Sequence, residues 1–180
     1  PADAMLLVDE AYLHFSGAPS AATFLAGRKD LIVMRTFSKL FGMAGVRLGL
    51  TFADPEVQKR IMLFGPAAGG ISITAMACGN AVYTQADLIK ARRAEMIANR
   101  EETIAWLTKK GIMVHPGSQA NMFMVDWKTK PAKEMQTALL AENIQIGRNW
   151  PIWPTVSRVT VGSAADMAKF RAAMDKTYKA

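Results

Sequence analysis

Cysteine occurs once in the 180 residues, at Cys78, and histidine twice, at His14 and His115. One thiol closes no internal disulfide and builds no multi-cysteine metal centre, and two imidazoles leave little for a zinc site. No metal is therefore expected. Long apolar runs are missing too. Nothing approaches the roughly 18 residues a membrane-spanning helix needs, and no charged-then-apolar leader opens the chain. Negative charge is scarce, with 15 acidic against 22 basic residues and a net charge of +7. Such a surplus can serve nucleic acid, a membrane surface or small acidic molecules. Here the basic residues are scattered, apart from Lys90, Arg92 and Arg93 on one expected helix. No basic stripe interleaved with aromatics appears, so neither nucleic acid nor membrane is an expected partner.

What is present is ordinary globular material, 51% hydrophobic and 21% charged. A chain of this length can bury roughly 70% of its unfolded surface, enough for a sizeable core. An apolar strand over Met5–Val8 ends in Asp9 and Glu10, and a second, Leu31–Thr36, also runs apolar into polar residues. Continuous apolar strands suit a parallel sheet covered on both faces. A third strand is expected over Val46–Phe52, after the glycine-punctuated loop at Gly42 and Gly45. Asp54-Pro55-Glu56 starts a helix to about Leu63 that Gly65-Pro66 stops. The stretch Ser72–Thr84, rich in small residues, is expected as a buried helix carrying Cys78. Asp87 is expected to cap a long amphipathic helix to Lys110, stopped by Gly111. Beyond it the pattern turns to α+β: strands over 112–114, 121–126 and 158–161, and helices over 131–142 and 164–178. The expected division is residues 1–86, a connecting helix over 87–110, and a small C-terminal domain over 111–180.

The residues that carry chemistry gather just beyond the first two strands. Lys39 follows Thr36 and Ser38 and precedes a loop loosened by glycine, with Arg47 eight residues further on. A desolvated lysine near a second cation has a lowered pKa, which Schiff-base formation requires. Thr36, Ser38 and Arg47 are donors suited to a phosphate group. Taken singly, these residues are better read as a solvated strand-end lysine and an arginine in a surface ion pair. Asp9 shifts that balance, because ligands of open α/β sheets bind at the carboxyl ends of the strands. Asp9, Tyr12, Lys39 and the donor cluster together form the set that holds pyridoxal phosphate. The acid would keep the ring nitrogen protonated so that the ring accepts electrons.

VDEAYLHF followed by TFSKLFGMAGVRLG resembles the cofactor-binding core of fold-type I pyridoxal-phosphate aminotransferases, most closely the histidinol-phosphate aminotransferase branch. The likeness runs through SRVTVGS near the C-terminus, over nearly the whole chain. It implies an α/β fold, namely part of the aspartate aminotransferase-like large domain of PLP-dependent transferases plus an α+β small C-terminal domain. It implies that Lys39 forms the Schiff base with pyridoxal 5'-phosphate, that Asp9 partners the pyridine nitrogen, and that Tyr12 bonds the phenolic oxygen. It implies Thr36, Ser38 and Arg47 as phosphate ligands. Arg158 is implied to bind the substrate's carboxylate or phosphate, with Arg148 as a second candidate for the anionic end. The implied substrates are an amino acid or amino phosphate and a 2-oxo acid, in a homodimer; the cytoplasm is the default location.

Two features depart from that branch. The segment NWPIWPTVS, between Arg148 and Arg158, is richer in tryptophan and proline than histidinol-phosphate enzymes. Trp150 and Trp153 are expected to pack rather than line a pocket. Family members also carry phosphate-binding and ring-stacking elements upstream of the DEAY strand, and none precedes Pro1. The chain thus resembles the second half of an aminotransferase, and this piece alone is expected to be inactive. A decarboxylase or lyase on the same scaffold, and an aminotransferase-like sensor domain of a regulator, are the alternatives.

Overall fold

The computed structural model describes residues 4–65 and 68–178. The chain divides into two units, Pro1–Arg93 and Ala94–Ala180, each with its own three-stranded sheet.

In the first unit β1 (Leu6–Asp9) and β2 (Leu31–Thr36) run parallel, with Asp9 opposite Met34. β3 (Gly49–Ala53) returns antiparallel to β2, Gly49 opposite Thr36. β2 occupies its expected span and forms the centre of the sheet, burying Leu31 and Val33 on one face. β1 begins one residue later than expected and, paired only with β2 among the described residues, leaves Leu6 46% and Leu7 53% exposed. The third strand is shorter than its alternation suggests. Ala44–Val46 form a 3-10 turn and Arg47 takes left-handed backbone at φ 59°, so extended chain resumes only beyond it.

α1 (Pro55–Met62) starts as expected: Asp54 accepts a 2.9 Å hydrogen bond from the Glu56 N–H and Pro55 fills the first turn. Pro66, the expected stop, lies outside the described residues. α2 (Ile73–Tyr83) is a helix but not a buried one. Only Ala75 and Gly79 are buried, and Cys78 is exposed. Its small apolar residues surround the helix without forming a stripe, so composition did not report which face is covered. α3 (Ala86–Lys109) starts one residue early, placing Asp87 in the first turn rather than at the cap. Gly111, at φ 74°, ends it: its N–H reaches the Thr108 carbonyl and that of Ile112 the Leu107 carbonyl.

In the second unit β4 (Met113–Val114), β5 (Met122–Asp126) and β6 (Val156–Thr160) form an antiparallel sheet in that order. β6 begins two residues before the expected Arg158 because Val156 and Ser157 pair with Asp126 and Val125. Phe123, Val125, Ser157 and Val159 share one face and are buried. Leu139 of α4 (Ala132–Ala141), Phe170 and Met174 of α5 (Ala164–Thr177), and Leu107 are buried with them. Trp127 is fully buried and donates its indole N–H to Ser157 Oγ at 2.9 Å. The opposite face of the sheet carries Met122, Met124, Asp126 and Arg158. Ser163 and Asp166 form a reciprocal capping box at the start of α5.

Candidate active site

The parallel pairing of β1 and β2 brings two strand ends together. Asp9 closes β1 opposite Met34, and Thr36 lies two residues further along β2. The Glu10 N–H donates to the Met34 carbonyl at 2.8 Å and fixes the chain as it leaves β1. Ala11 N–H donates to Asp9 Oδ1 at 2.9 Å, which turns the backbone and holds the carboxylate at the strand end. Thr36 Oγ1 accepts from the Ser38 N–H at 3.0 Å, the corresponding turn at the end of β2.

The loop that follows is anchored on both sides of its lysine. Phe37, Leu40 and Phe41 are buried, and Phe37 N–H bonds the Leu48 carbonyl at 3.2 Å. Arg92 Nη1 donates to the Leu40 carbonyl at 3.1 Å, and Gly42 turns the chain at φ 69° with its N–H on the Lys39 carbonyl. The left-handed Arg47 is held by a 2.6 Å bond from its Nη1 to the Ala44 carbonyl. A non-glycine residue in this region stores on the order of 1 kcal/mol of strain, and such residues cluster at ligand sites.

Asp9, Thr36, Ser38 and Arg47 line one cleft of about 380 Å³, floored by Met34 and by β3 residues Gly49–Thr51. Lys39 is not part of that lining. It is exposed rather than desolvated, and its Nζ stands 5.2 Å from the centre of the Tyr12 ring. Four of the six cofactor-site candidates thus share a cleft, and the other two are paired with each other. A carboxylate, two hydroxyls and a guanidinium lining one cleft are a set of groups that fits a cationic ring bearing a phosphate.

A network absent from the sequence reasoning supports these strand ends. Glu10 is 5% exposed. It accepts from Arg35 Nε at 2.9 Å, from Ser20 Oγ at 2.9 Å and from the Ala21 N–H at 2.6 Å. Arg35 Nη2 also donates to Ser20 Oγ at 2.6 Å, and its guanidinium lies 5.3 Å from the Phe52 ring centre. Burial alone raises the Glu10 pKa. The hydrogen bonds from Arg35, Ser20 and Ala21, with the Arg35 charge, outweigh it and leave the carboxyl below its ordinary 4.5. His14 is lowered from 6.5 by burial first and then by the charges of Arg35 and Arg93. Arg93 also donates to the His14 carbonyl at 2.7 Å. The clue in the sequence was spacing: Arg35 shares a strand face with buried Leu31 and Val33, so it needs a carboxylate partner.

In the second unit Arg158 sits in mid-strand on the less buried face, and its Nε is a buried donor with no hydrogen-bond partner. Arg148 is exposed. Trp153 is 51% exposed and, with Ile152, His115, Met124 and Asp126, lines a separate cleft of about 350 Å³. Trp150 and Trp153 form an isolated antiparallel bridge, with their ring centres 6.1 Å apart.

The structural likenesses and the family match place this mixed α/β chain in the PLP-dependent aminotransferase fold. Histidinol-phosphate aminotransferase from Clostridium acetobutylicum superposes with a TM-score of 0.87, covering 97% of this chain and 54% of that one at 22% identity. The enzyme from Sinorhizobium meliloti, solved in complex with pyridoxal 5'-phosphate, gives 0.84 over 98% of this chain and 49% of that one, at 23% identity. In sequence, histidinol-phosphate aminotransferase from Anaeromyxobacter sp. (strain Fw109-5) is 32% identical over 98% of the chain and 49% of its own length. Residues 2–176 match the family described as aminotransferase class I and II, and the chain belongs to it. It spans about half the length of the curated relatives it matches.

Proposed function

We propose that this chain forms the cofactor-binding lysine segment and small domain of a PLP-dependent, histidinol-phosphate aminotransferase-like enzyme. That enzyme moves an amino group between an amino acid or amino phosphate and a 2-oxo acid. In this reading residues 1–86 are part of the large domain, 87–110 connect, and 111–180 are the small domain. The observation that carries the proposal is the cleft shared by Asp9, Thr36, Ser38 and Arg47, with Lys39, next after Ser38, beside Tyr12. When bound, pyridoxal 5'-phosphate supplies an aldehyde that takes up amines and a pyridinium ring that draws electrons from the substrate's α-carbon.

The chain's own residues do the rest. Arg47, Thr36 and Ser38 hold the phosphate with charge-assisted and neutral hydrogen bonds. The Asp9 carboxylate keeps the proton on the ring nitrogen, which sustains the ring's electron demand. Tyr12 orients the phenolic oxygen through its hydroxyl. Lys39 Nζ would hold the cofactor's aldehyde and, as a free amine, would serve as the general base for the substrate's α-proton. Arg158, with Arg148, receives the anionic end of the substrate, a task suited to a planar guanidinium fork. The enzyme acts as a homodimer.

The test is turnover of the intact protein against a panel of amino donors, including histidinol phosphate and aromatic amino acids, with carbon dioxide and keto product both followed. Keto product is expected. Lys39→Ala abolishes it, and Asp9→Ala retains cofactor while slowing turnover by about 100-fold or more. Normal turnover in Asp9→Ala refutes the assigned role of that acid, and release of carbon dioxide instead identifies a decarboxylase.

A further inference from the structure

Gly147 is pressed against the strand that carries Arg158. Its N–H donates to the Arg158 carbonyl at 2.8 Å, and its own carbonyl accepts from the side-chain amide of Gln136 on α4. A Cβ on Gly147 would lie 2.7 Å from the Arg158 carbonyl oxygen, 3.3 Å from Arg158 Cβ and 3.4 Å from Arg158 Nε. The φ of Gly147 lies outside the left-handed region, where Gly42, Gly111 and Gly117 are found. Backbone conformation therefore places no demand for glycine here. The demand comes from the room taken by the stem of Arg158.

We propose that Gly147 and Gln136 are positioning residues for Arg158: the bare Cα of Gly147 seats the arginine stem, and the Gln136 amide clamps the Gly147 segment against β6. This rests on the reading of Arg158 as the residue that meets the substrate's anionic end. The carbonyl that a new methyl would strike is backbone, in a strand paired along its length with β5, so it does not swing aside as a side-chain tip does. An added methyl either lifts residues 146–148 off β6 and breaks the Gly147 N–H bond, or rotates the Arg158 stem. Both displace the guanidinium. Among the described residues Arg158 Nε is a buried donor without a hydrogen-bond partner, so no such bond fixes that nitrogen. Gln136 holds the carbonyl of the same residue and so resists the first of these movements.

The experiment compares Gly147→Ala, Gln136→Leu and Arg158→Ala in the intact, cofactor-loaded protein. Kinetics are measured with amino-acid donors and 2-oxo acids, and the half-reaction is measured with a simple amine that carries no anionic group. Gly147→Ala is expected to raise KM for the anionic substrates about tenfold or more, a loss of the size of one charge-assisted hydrogen bond. Its kcat should change less than about threefold, and the half-reaction with the uncharged-tail amine should be unaltered. Gln136→Leu, which removes only the clamp from a half-buried helix position, should raise the same KM by about threefold. A Gly147→Ala protein that does not fold leaves Gln136→Leu to decide. Unchanged KM in the folded variants, while Arg158→Ala raises it, overturns the positioning role alone. Unchanged KM in Arg158→Ala overturns the reading of Arg158 itself. An equal loss with the amine and with the amino acids shows general disruption and also overturns the proposal.

Discussion

Glu10→Gln isolates the contribution of charge to the support beneath the strand ends. Glutamine keeps the shape of glutamate and an acceptor for the Ala21 N–H, which approaches at 2.6 Å. It loses the charge facing Arg35 at 2.9 Å and offers an amide where Arg35 and Ser20 now donate. Breaking a buried ion pair by removing one partner costs about 3–5 kcal/mol. The Arg35 side chain retains 16% exposure, and water reaching it partly compensates, so the lower end, about 3 kcal/mol, applies here. Urea unfolding of the intact protein, followed by circular dichroism, reads this directly. With a slope of about 2 kcal/mol per molar urea, the midpoint falls by about 1.5 M. The pH dependence has a definite sign. A carboxyl whose pKa is depressed in the folded state stabilises above its ordinary 4.5, and that stabilisation is lost as pH falls through the depressed value. The gap between wild type and variant is therefore constant above pH 4.5 and narrows below it. A midpoint shift under about 0.3 M at neutral pH would refute the claim that this ion pair supports the site.

Arg47→Ala is expected to weaken pyridoxal 5'-phosphate binding by about 10- to 100-fold, the value of one or two charge-assisted bonds, as read by equilibrium dialysis. Ser157→Ala strands the Trp127 indole N–H in the second unit's core and should cost about 1–3 kcal/mol, measured by chemical unfolding. The lowered pKa of His14 means that its neutral form stabilises the fold above 6.5 and that this stabilisation is lost as pH falls through the folded value. His14→Gln should therefore flatten the stability profile just below pH 6.5, checked by thermal unfolding across that range.

The sequence was most legible where local chemistry and burial agree. β2 lies where its apolar run ends, because central strands bury what they carry, and α1 starts where Asp54 and Pro55 supply a cap and a first turn. Legibility failed where neighbours decide. Leu6 and Leu7 read as core and are half exposed here, where β2 is the only strand paired with β1 among the described residues. The front of β3 was lost to a turn that the left-handed Arg47 completes, a conformation rarely written into a non-glycine residue. The chain order of Asp9, Thr36, Ser38, Lys39 and Arg47 was visible in sequence, and their arrangement was visible only in part. The parallel register brings Asp9 to the cleft of Thr36 and Ser38, while the anchors Phe37 and Leu40 leave Lys39 outside its walls, against Tyr12. The Glu10–Arg35 pair joins residues 25 apart in sequence, and only the strand pairing shows that they meet.

The central claim is that the amine at position 39 carries the cofactor. Borohydride reduction of the intact protein with pyridoxal 5'-phosphate, followed by proteolysis and mass mapping, tests it without reference to substrate. A pyridoxyl group on Lys39 alone, lost in Lys39→Ala, is the expected result; a stable label on any other lysine, or none at all, contradicts it.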